Sequence, residues 1–186
     1  MTSMDTRDMV VLLDDAGTTI GTASKSEIHH GSTPLHLAFS CYLFDDAGWV
    51  LLTRRAVSKK TFPGIWTNSC CGHPAPGESI DAAVRRRVSE ELGVGITALR
   101  CVLPDFRYVA VAADGIVENE VCPVFCARVT GPVRADREEV ADYTWVPWDH
   151  LRAAAGLGWA ISPWAVKQVP LLAAEGIGQG CQDLSS

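Results

Sequence analysis

The chain has 186 residues, 47% of them hydrophobic and 20% charged, which is typical of a soluble globular protein with one core. The formal net charge of −6 does not favour nucleic acid or an anionic membrane as a partner, so an anion site needs a local cluster of Lys and Arg. We therefore expect a single domain over residues 1–186, with flexible ends at 1–9 and 177–186.

The cysteines and the first residues indicate a reducing, cytoplasmic location. There are 7 Cys, an odd number with no CxxC pair, which argues against a disulfide framework or a cysteine zinc finger. The first ten residues contain Asp5, Arg7 and Asp8 and lack the apolar segment of a secretion signal. No apolar run approaches the roughly 18 residues that span a bilayer. We expect no membrane contact and a monomer or weak dimer.

The N-terminal part of the chain predicts two β-hairpins with a polar loop between them. Each hairpin has two apolar runs around an Asp-Asp-Ala-Gly turn, at 14–17 and 45–48. The second is richer in aromatic residues and is expected to supply central strands. The predicted strands are 10–13 and 18–23 in the first hairpin and 35–44 and 49–53 in the second, with the loop at 25–34.

A basic run, RRAVSKK at 54–60, follows the second hairpin. A solvated loop is the ordinary interpretation of such a run. This run, however, leads into the apolar, turn-rich segment 62–66, which must bury part of itself and so holds the cations near packed structure. We therefore favour anion binding here, with the solvated loop as the open alternative.

A loop punctuated by Gly and Pro, TNSCCGHP at 67–74, precedes the strongest predicted helix. Apolar residues recur at every fourth position from Ile80 to Leu92, which is the stripe of an amphipathic helix. Ser79 is the expected N-cap and Gly93 the expected C-terminal cap residue.

The remainder of the chain predicts strands followed by two helices. In the strand at 116–129, Glu118, Glu120 and Cys122 alternate and so point to one face, while Pro123 indicates an edge or a bulge. Mostly strands, one strong helix midway and helices at the end are typical of an α+β fold. The other predicted strands are 94–103, 106–111 and 143–146, and the helices are 149–155 and a final one opened by Ser162 and Pro163.

Three histidines and two glutamates are candidate metal ligands. His29, His36 and His73 lie at strand ends or in structured loops. Glu118 and Glu120 share one strand face, where burial without a cation is costly. Imidazole and carboxylate together suit Zn, Mn or Fe. The plain alternative stays open, namely that the histidines are ordinary polar residues and the glutamates face solvent, because the candidates come from three separate segments.

Cys71 is the candidate reactive thiol. Gly72 and Pro74 imply a tight, exposed backbone there, and His73 or a nearby metal is expected to lower the pKa of the thiol. Cys70 is expected to point the other way, into the core. The plain alternative is that Cys71, like most cysteines, is a small core residue. For Trp66, Tyr108 and Trp164 the choice is likewise between lining an apolar pocket and ordinary core packing.

The spacing of Gly72, Glu78 and the run RRVSEELGV at 86–94 resembles the Nudix box, a loop–helix–loop that binds divalent metal and diphosphate. The Arg-Glu pair of active Nudix hydrolases appears here as Arg-Arg, so one metal-binding glutamate is missing. The two later glutamates of the run remain, which keeps hydrolysis of a diphosphate compound open.

A wider set of segments, in the right order over nearly the whole chain, resembles type I isopentenyl-diphosphate Δ-isomerase. The resemblance implies an α+β fold with a Nudix-like mixed β-sheet core flanked by helices, an N-terminal β-hairpin and C-terminal helices. It also implies interconversion of isopentenyl and dimethylallyl diphosphate, which are small homoallylic and allylic substrates of isoprenoid biosynthesis. The segments are LHLAFS (35–40), TRRAVSKK (53–60), FPGIWTNSCCGHP (62–74), DFRY (105–108), GIVENEVCPVF (115–125) and SPW (162–164).

The resemblance also implies a role for each candidate residue. The residues that match a Mn²⁺ or Zn²⁺ site are His29, His36, His73, Glu118 and Glu120. Glu91 matches the ligand of a Mg²⁺ ion shared with the substrate diphosphate. The residues that match positions around the diphosphate are Lys25, Arg55, Lys59 and Arg87. Cys71 and Glu120 match the catalytic pair, and Tyr108 and Trp164 match aromatic residues beside the reacting alkene.

This set predicts a mechanism in which Glu120, assisted by Tyr108, protonates the alkene, and Cys71, as a thiolate, removes a proton from the opposite face. Trp164 is expected to stabilise the carbocation between the two steps. The alternatives are a Nudix hydrolase, and a metal-binding or protein-interaction domain that catalyses nothing.

Overall fold

The first two strands form the hairpin predicted at the N-terminus of the chain, which the computed structural model describes over residues 6–178. β1 (Met9–Leu13) and β2 (Thr19–Ser24) pair antiparallel. The side chain of Asp14 closes the turn by accepting hydrogen bonds from the backbone N–H groups of residues 16 and 18. This part of the sequence prediction is confirmed.

The remaining strands form two mixed sheets. Their bounds are β3 His36–Leu37, β4 Phe39–Phe44, β5 Val50–Arg55, β6 Trp66–Thr67, β7 Cys70–Gly72, β8 Ile96–Leu103, β9 Arg107–Val111, β10 Val117–Val121, β11 Val124–Val129 and β12 Val140–Val146. One sheet has the strand order β2-β1-β3-β10-β9. The other has the order β12-β5-β4-β11-β8, with β6 beside β5 and β7 beside β4.

Two strands predicted as continuous are each divided between the sheets, so the predictions of single strands at 35–44 and 116–129 are wrong. The first splits into β3 and β4 and the second into β10 and β11, and the two pairs cross side by side in parallel. The N–H of Ala38 donates to the carbonyl of Val121 at 2.9 Å, and the N–H of Ser40 donates to that of Pro123 at 3.1 Å. Because Pro123 has no N–H to give to a ladder, the crossing falls there.

Helix α2 (Ile80–Leu92) has the predicted ends. The Ser79 hydroxyl accepts from the N–H of residue 82, and Gly93 ends the helix at φ 59°, a left-handed conformation that favours glycine. Val84, Val88 and Leu92 are fully buried and pack in a core cluster with strands β4 and β11. Helix α2 also contacts strand β7, whose Cys70 packs in the same core cluster.

Three other helices complete the described chain. A short helix, α1 (Lys25–Ile28), stands where a polar loop was expected, and the Ser24 hydroxyl caps it. Helix α3 (Trp148–Leu157) and helix α4 (Pro163–Ala174) lie where the sequence predicts the C-terminal helices, the latter capped by Ser162. Within residues 6–178, no helix has both the length and the apolar character needed to cross a membrane.

The ends of the described chain are structured. A single 3₁₀ turn, Thr6–Asp8, precedes β1, and Ile177 is buried in the main core beside α3 and α4. The expected flexible ends at 1–9 and 177–186 otherwise fall on residues 1–5 and 179–186, which lie outside the described residues.

Candidate active site

A cavity of about 390 Å³ lies between elements of both sheets. Its wall includes helices α1, α2 and α4 as well as strands β5, β7, β9 and β10. His36, fully buried, lies behind this wall. All the other predicted site residues line the cavity, namely Lys25, His29, Arg55, Lys59, Cys71, His73, Arg87, Glu91, Tyr108, Glu118, Glu120 and Trp164.

Three imidazoles and one carboxylate converge at one end of this cavity. His29 ends α1, His36 begins β3, His73 follows β7 and Glu120 lies on β10 beside His36 in the parallel ladder. The ligand atoms of these four residues all lie within 4.8 Å of one another. We call this group the histidine cluster. The cluster is assembled from both sheets, which explains why its members are far apart in sequence.

The histidine cluster leaves its donor atoms unsatisfied. The Nε2 atoms of His29, His36 and His73 are buried and make no hydrogen bond within the described residues. His36 Nδ1 lies 2.9 Å from the carbonyl oxygen of residue 34, which orients Nε2 toward the cluster. Buried polar atoms without partners are costly, and a cation bound among them removes that cost. The donor set therefore fits a divalent metal, and the alternative that the glutamates face solvent is wrong, since Glu118 and Glu120 are each 5% exposed.

The electrostatics of the cluster favour the metal-binding protonation states of His29, His73 and Glu120. Burial lowers the pKa of His29 to about 4, and His73 and His36 add to this effect by repulsion, so His29 stays a neutral imidazole. Burial alone would raise the pKa of Glu120, but His36 and His73, at 3.5 and 3.4 Å, hold it below its usual range. Burial also lowers the pKa of His73, whereas Glu120 raises the pKa of His36 against the effect of burial. A cation is ligated by neutral imidazole and ionised carboxylate, so metal binding competes with a proton at His36.

Glu118 stands beside the histidine cluster rather than within it. Its Oε2 accepts a hydrogen bond from the Tyr108 hydroxyl at 2.6 Å. Burial, and then the charge of Glu120, raise the pKa of Glu118, and burial raises the pKa of Tyr108 as well. Both shifts favour the protonated forms of Glu118 and Tyr108 on this side of the cavity.

Cys71 lies across the cavity on β7. Its Sγ donates a hydrogen bond to Asn68 Oδ1 at 3.2 Å and lies 3.6 Å from Ser40 Oγ. Burial raises the pKa of the thiol to about 12, so the prediction of a lowered pKa is wrong. The predicted direction of Cys70 is confirmed, since it is 2% exposed and packs in the core cluster under α2.

An aromatic wall adjoins the thiol. Trp164 is 2% exposed and its ring lies 5.8 Å from that of Tyr108 and 5.4 Å from that of Phe62, measured between centroids. The Arg55 guanidinium lies 5.8 Å from the Trp164 centroid. Trp66, by contrast, packs against the main core and does not line the cavity, so for this residue ordinary packing is the correct interpretation.

Cations and carboxylates alternate at the other end of the cavity. Lys59 pairs with Glu139, and Arg87 pairs with Glu91 and lies 3.4 Å from Glu139 Oε1. We call these four residues the ion-pair cluster. Gly72 allows the approach of Arg87, because a Cβ there would lie only 2.9 Å from Arg87 Cγ.

Lys25 and Arg55 also face this cavity, each held by the fold. Burial lowers the pKa of Lys25, and repulsion from Arg87 and Arg86 adds to this, which places Lys25 among the same cations. The Arg55 guanidinium donates to the carbonyl and the hydroxyl of Thr61. All four predicted diphosphate ligands therefore share one cavity, and an anion-binding role for this basic segment agrees with their placement.

Two residues that sequence reasoning missed belong to this site. Glu139, in a charged loop with no motif, meets Lys59 and Arg87, which lie 80 and 52 positions away in the chain. Asn68 contacts both Cys71 and Trp164. Its place in the loop beside Cys71 was the one available signal, and the contact with Trp164 cannot be read from spacing.

The box at 72–94 also contains a second group of ion pairs, whose residues do not line the cavity. Arg86 makes a two-pronged contact with Glu78, at 2.8 and 2.7 Å, and also reaches Glu90. Glu78 thus has a structural partner, and the neighbouring position that carries a glutamate in hydrolases carries Arg87 here. This arrangement places cations where a hydrolase box places metal ligands.

Comparison with known proteins identifies close relatives of the whole chain. The NUDIX domain family matches residues 34–165. The isopentenyl-diphosphate Delta-isomerase of Mycolicibacterium vanbaalenii is 75% identical over 178 residues, which cover 96% of this chain and 98% of that protein. The protein of the same name from Frankia alni is 56% identical over 169 residues, or 90% of this chain and 87% of that one.

Solved structures confirm the fold. DR0079 from Deinococcus radiodurans has a TM-score of 0.67 at 19% identity, covering 87% of this chain and 97% of that one. The MutT protein from Methanosarcina mazei Go1 has a TM-score of 0.60 at 20% identity, covering 77% and 96%. The NUDIX match and these structures confirm the α+β, Nudix-like fold predicted from the sequence.

Proposed function

The chain belongs to the isopentenyl-diphosphate Delta-isomerase family and has a NUDIX domain, and from that premise we propose how its cavity performs the reaction. The reaction interconverts isopentenyl and dimethylallyl diphosphate in isoprenoid biosynthesis. A proton is added to the terminal alkene carbon, which gives a tertiary carbocation, and a proton is then removed from the carbon on the other side of that centre.

The observation that carries the mechanism is the placement of two proton-transfer groups on different sheets around one cavity. Glu120 and Tyr108 are direct partners in the β9–β10 ladder, whereas Cys71 is on β7, beside β4 of the other sheet. An alkene held between them exposes one face to each side. This supports antarafacial transfer, with the proton delivered from the Glu120 and Tyr108 side and removed on the Cys71 side.

We assign the histidine cluster, with Glu118 at its edge, to a Mn²⁺ or Zn²⁺ ion held by His29, His36, His73 and Glu120. When bound, the ion supplies a positive charge that makes a proton on this side of the cavity more acidic. The chain itself keeps that proton available, because the Tyr108 hydroxyl donates to Glu118 and both groups are buried.

Trp164 and Cys71 complete the opposite wall. The carbocation is stabilised by the face of the Trp164 ring, an interaction worth about 2 kcal/mol in a desolvated site. Cys71 takes the second proton and ends the step as a thiol, which is the form that burial favours in the structure. Since the starting form requires a thiolate, a proton must leave Cys71 before the next turnover in the same direction.

The diphosphate end anchors the substrate and takes no part in bond changes. We propose that Lys25, Arg55, Lys59 and Arg87 bind the phosphate oxygens and that Glu91 holds a Mg²⁺ ion shared with them. Arginine gives two-pronged phosphate contacts and lysine a point charge, so the set fixes both position and orientation. This anchoring places the alkene between the two proton-transfer groups.

Predictions about location, partners, domain number and oligomeric state accompany this proposal. We infer a cytoplasmic protein whose partner is the small diphosphate substrate, with neither nucleic acid nor membrane as a ligand. We also infer one domain that acts as a monomer or weak dimer, which size-exclusion chromatography with light scattering tests directly. A stable assembly larger than a dimer contradicts this inference.

Conversion of isopentenyl diphosphate tests the function itself. Purified protein is incubated with the substrate, Mg²⁺ and Mn²⁺, and the products are followed by NMR. We expect dimethylallyl diphosphate without release of phosphate. Release of phosphate or pyrophosphate with no isomer supports a hydrolase instead, and no conversion at all supports a binding domain.

A further inference from the structure

Asn68 occupies a fully buried position between two groups of the proposed active site. Its Oδ1 accepts a hydrogen bond from Trp164 Nε1 at 2.9 Å and another from Cys71 Sγ at 3.2 Å. Its Nδ2 donates to the backbone carbonyls of Cys41 at 3.1 Å and Cys70 at 2.8 Å. One side chain therefore connects the thiol, the indole and the strands that carry the thiol.

The orientation of the Asn68 amide is fixed by its partners. An indole N–H can only donate and a backbone carbonyl can only accept, so the oxygen must face Trp164 and the nitrogen must face the two carbonyls. A flipped amide would place two acceptors together and two donors together. Cys71 is therefore in contact with the amide oxygen of Asn68. The sulfur is held where the thiol proton can reach that oxygen.

We infer that Asn68 is a positioning residue for the isomerisation, which sets the distance between the Cys71 sulfur and the Trp164 ring. The inference rests on the proposed roles of those two residues. A carbocation beside Trp164 must present its C–H bond to the sulfur, so the spacing of the two groups decides the rate of proton removal. The diphosphate ligands do not touch Asn68, so its loss changes kcat and leaves KM nearly unchanged.

The next residue in the loop offers a matched control. Ser69 is fully buried, donates to the carbonyl of Leu51 at 2.6 Å and accepts from the N–H of Leu43 at 2.7 Å. It thus fixes the same loop to the sheet without contacting Cys71 or Trp164. Ser69→Ala therefore reports what loss of a buried loop hydrogen bond does by itself.

The experiment compares kcat, KM and melting temperature for wild type, Asn68→Ala, Asn68→Asp and Ser69→Ala. We expect Asn68→Ala to lower kcat by roughly 10²-fold, the scale of an error of about 1 Å in placement, with KM changed by less than about twofold. Asn68→Asp keeps an oxygen for Trp164 and Cys71, and in its protonated form it can donate to a backbone carbonyl as Asn68 does, so its kcat should exceed that of Asn68→Ala. Ser69→Ala should keep kcat within about twofold of wild type at a melting temperature comparable with that of Asn68→Ala.

Three results overturn the inference: a kcat near wild type for Asn68→Ala, an equal loss for Ser69→Ala at matched stability, or Asn68→Asp no better than Asn68→Ala. If Asn68→Ala does not fold, Asn68→Asp against Ser69→Ala decides the question, since a loss of kcat that merely follows melting temperature is structural. Cys71→Ala is run in parallel. Wild-type turnover by that variant defeats the proposed role of Cys71 in the mechanism, whereas its inactivity beside an unaffected Asn68→Ala defeats the positioning role alone.

Discussion

The two ends of the cavity are prepared for their ligands in opposite ways. In the histidine cluster, three buried Nε2 atoms have no hydrogen-bond partner among the described residues. In the ion-pair cluster, Lys59 and Arg87 are already paired with carboxylates of the same chain. One end therefore gains interactions when a ligand arrives, and the other must exchange them.

This difference indicates the role of each end of the cavity in the reaction. Unsatisfied ligand atoms brought together by two sheets fit a divalent metal, and we propose that this metal stays bound through many turnovers. The pair of Lys59 and Glu139 is partly exposed, and such pairs are worth little, so a diphosphate can replace it, bind and later leave. A resident ion and an exchanging substrate thus need opposite preparation of the protein.

The largest expected effect is at the group between the two ends. Cys71→Ala should lower kcat by roughly 10³-fold or more, because removal of a proton-transfer group typically costs 10²- to 10⁴-fold. The measurement is dimethylallyl diphosphate formation, with circular dichroism to verify the fold. Cys41→Ala is the matched control, since that thiol is fully buried on the adjacent strand and does not line the cavity. Unchanged turnover by Cys71→Ala contradicts the mechanism.

The histidine cluster is tested next by Glu120→Gln, which should lose both bound metal and activity. The amide keeps the shape of the side chain but removes the negative charge that faces His36 and His73. Elemental analysis after dialysis measures metal per chain. His30→Ala is the control, because His30 is the exposed neighbour of His29 and lies outside the cluster. Metal content equal to wild type in Glu120→Gln shows that our ligand assignment is wrong.

The same residues show how much of the fold and of the site could be predicted from the sequence. Local signals sufficed for α2, whose ends are fixed by Ser79 and Gly93, and for the N-terminal hairpin. Resemblance to a family supplied the residues that the structure gathers around the cavity. Neither source located the crossing at Ala38 and Pro123, because a break shared by two strands depends on pairing across about 80 residues of chain.

Properties that arise from tertiary packing were also beyond the sequence. The pKa of Cys71 is raised because surrounding elements bury it, whereas loop composition suggested exposure. Asn68 meets Trp164 across 96 positions of the chain, and Glu139 meets Lys59 across 80. Such contacts have no spacing rule, so Glu139 carried no sequence signal, and Asn68 carried only its place beside Cys71.

A stability measurement sharpens the contrast between a resident ion and an exchanging substrate. Adding Mn²⁺ or Zn²⁺ to chelator-treated protein should raise the melting temperature, since a ligand at about 1,000 times its Kd adds about 4 kcal/mol, or roughly 8–16 °C for a chain of this size. Inorganic pyrophosphate should add less, because its binding must break existing ion pairs. Glu120→Gln should lose the metal-dependent rise and keep the effect of pyrophosphate. A larger rise in melting temperature with pyrophosphate alone than with metal contradicts the contrast between a resident ion and an exchanging substrate.

The smallest expected effect is at Glu139, which competes with the diphosphate for Lys59 and Arg87. Glu139→Gln removes this competing charge, and because the pair is partly exposed the gain is modest: KM for isopentenyl diphosphate should fall by roughly two- to fivefold with kcat unchanged. Glu138→Gln makes the same change in net charge on an exposed neighbour, so it separates local competition from the overall field. An equal fall in KM for both variants shows that the overall field is responsible. A rise in KM for Glu139→Gln shows that this carboxylate does not compete with the substrate but helps to hold it, through the Mg²⁺ ion of the diphosphate.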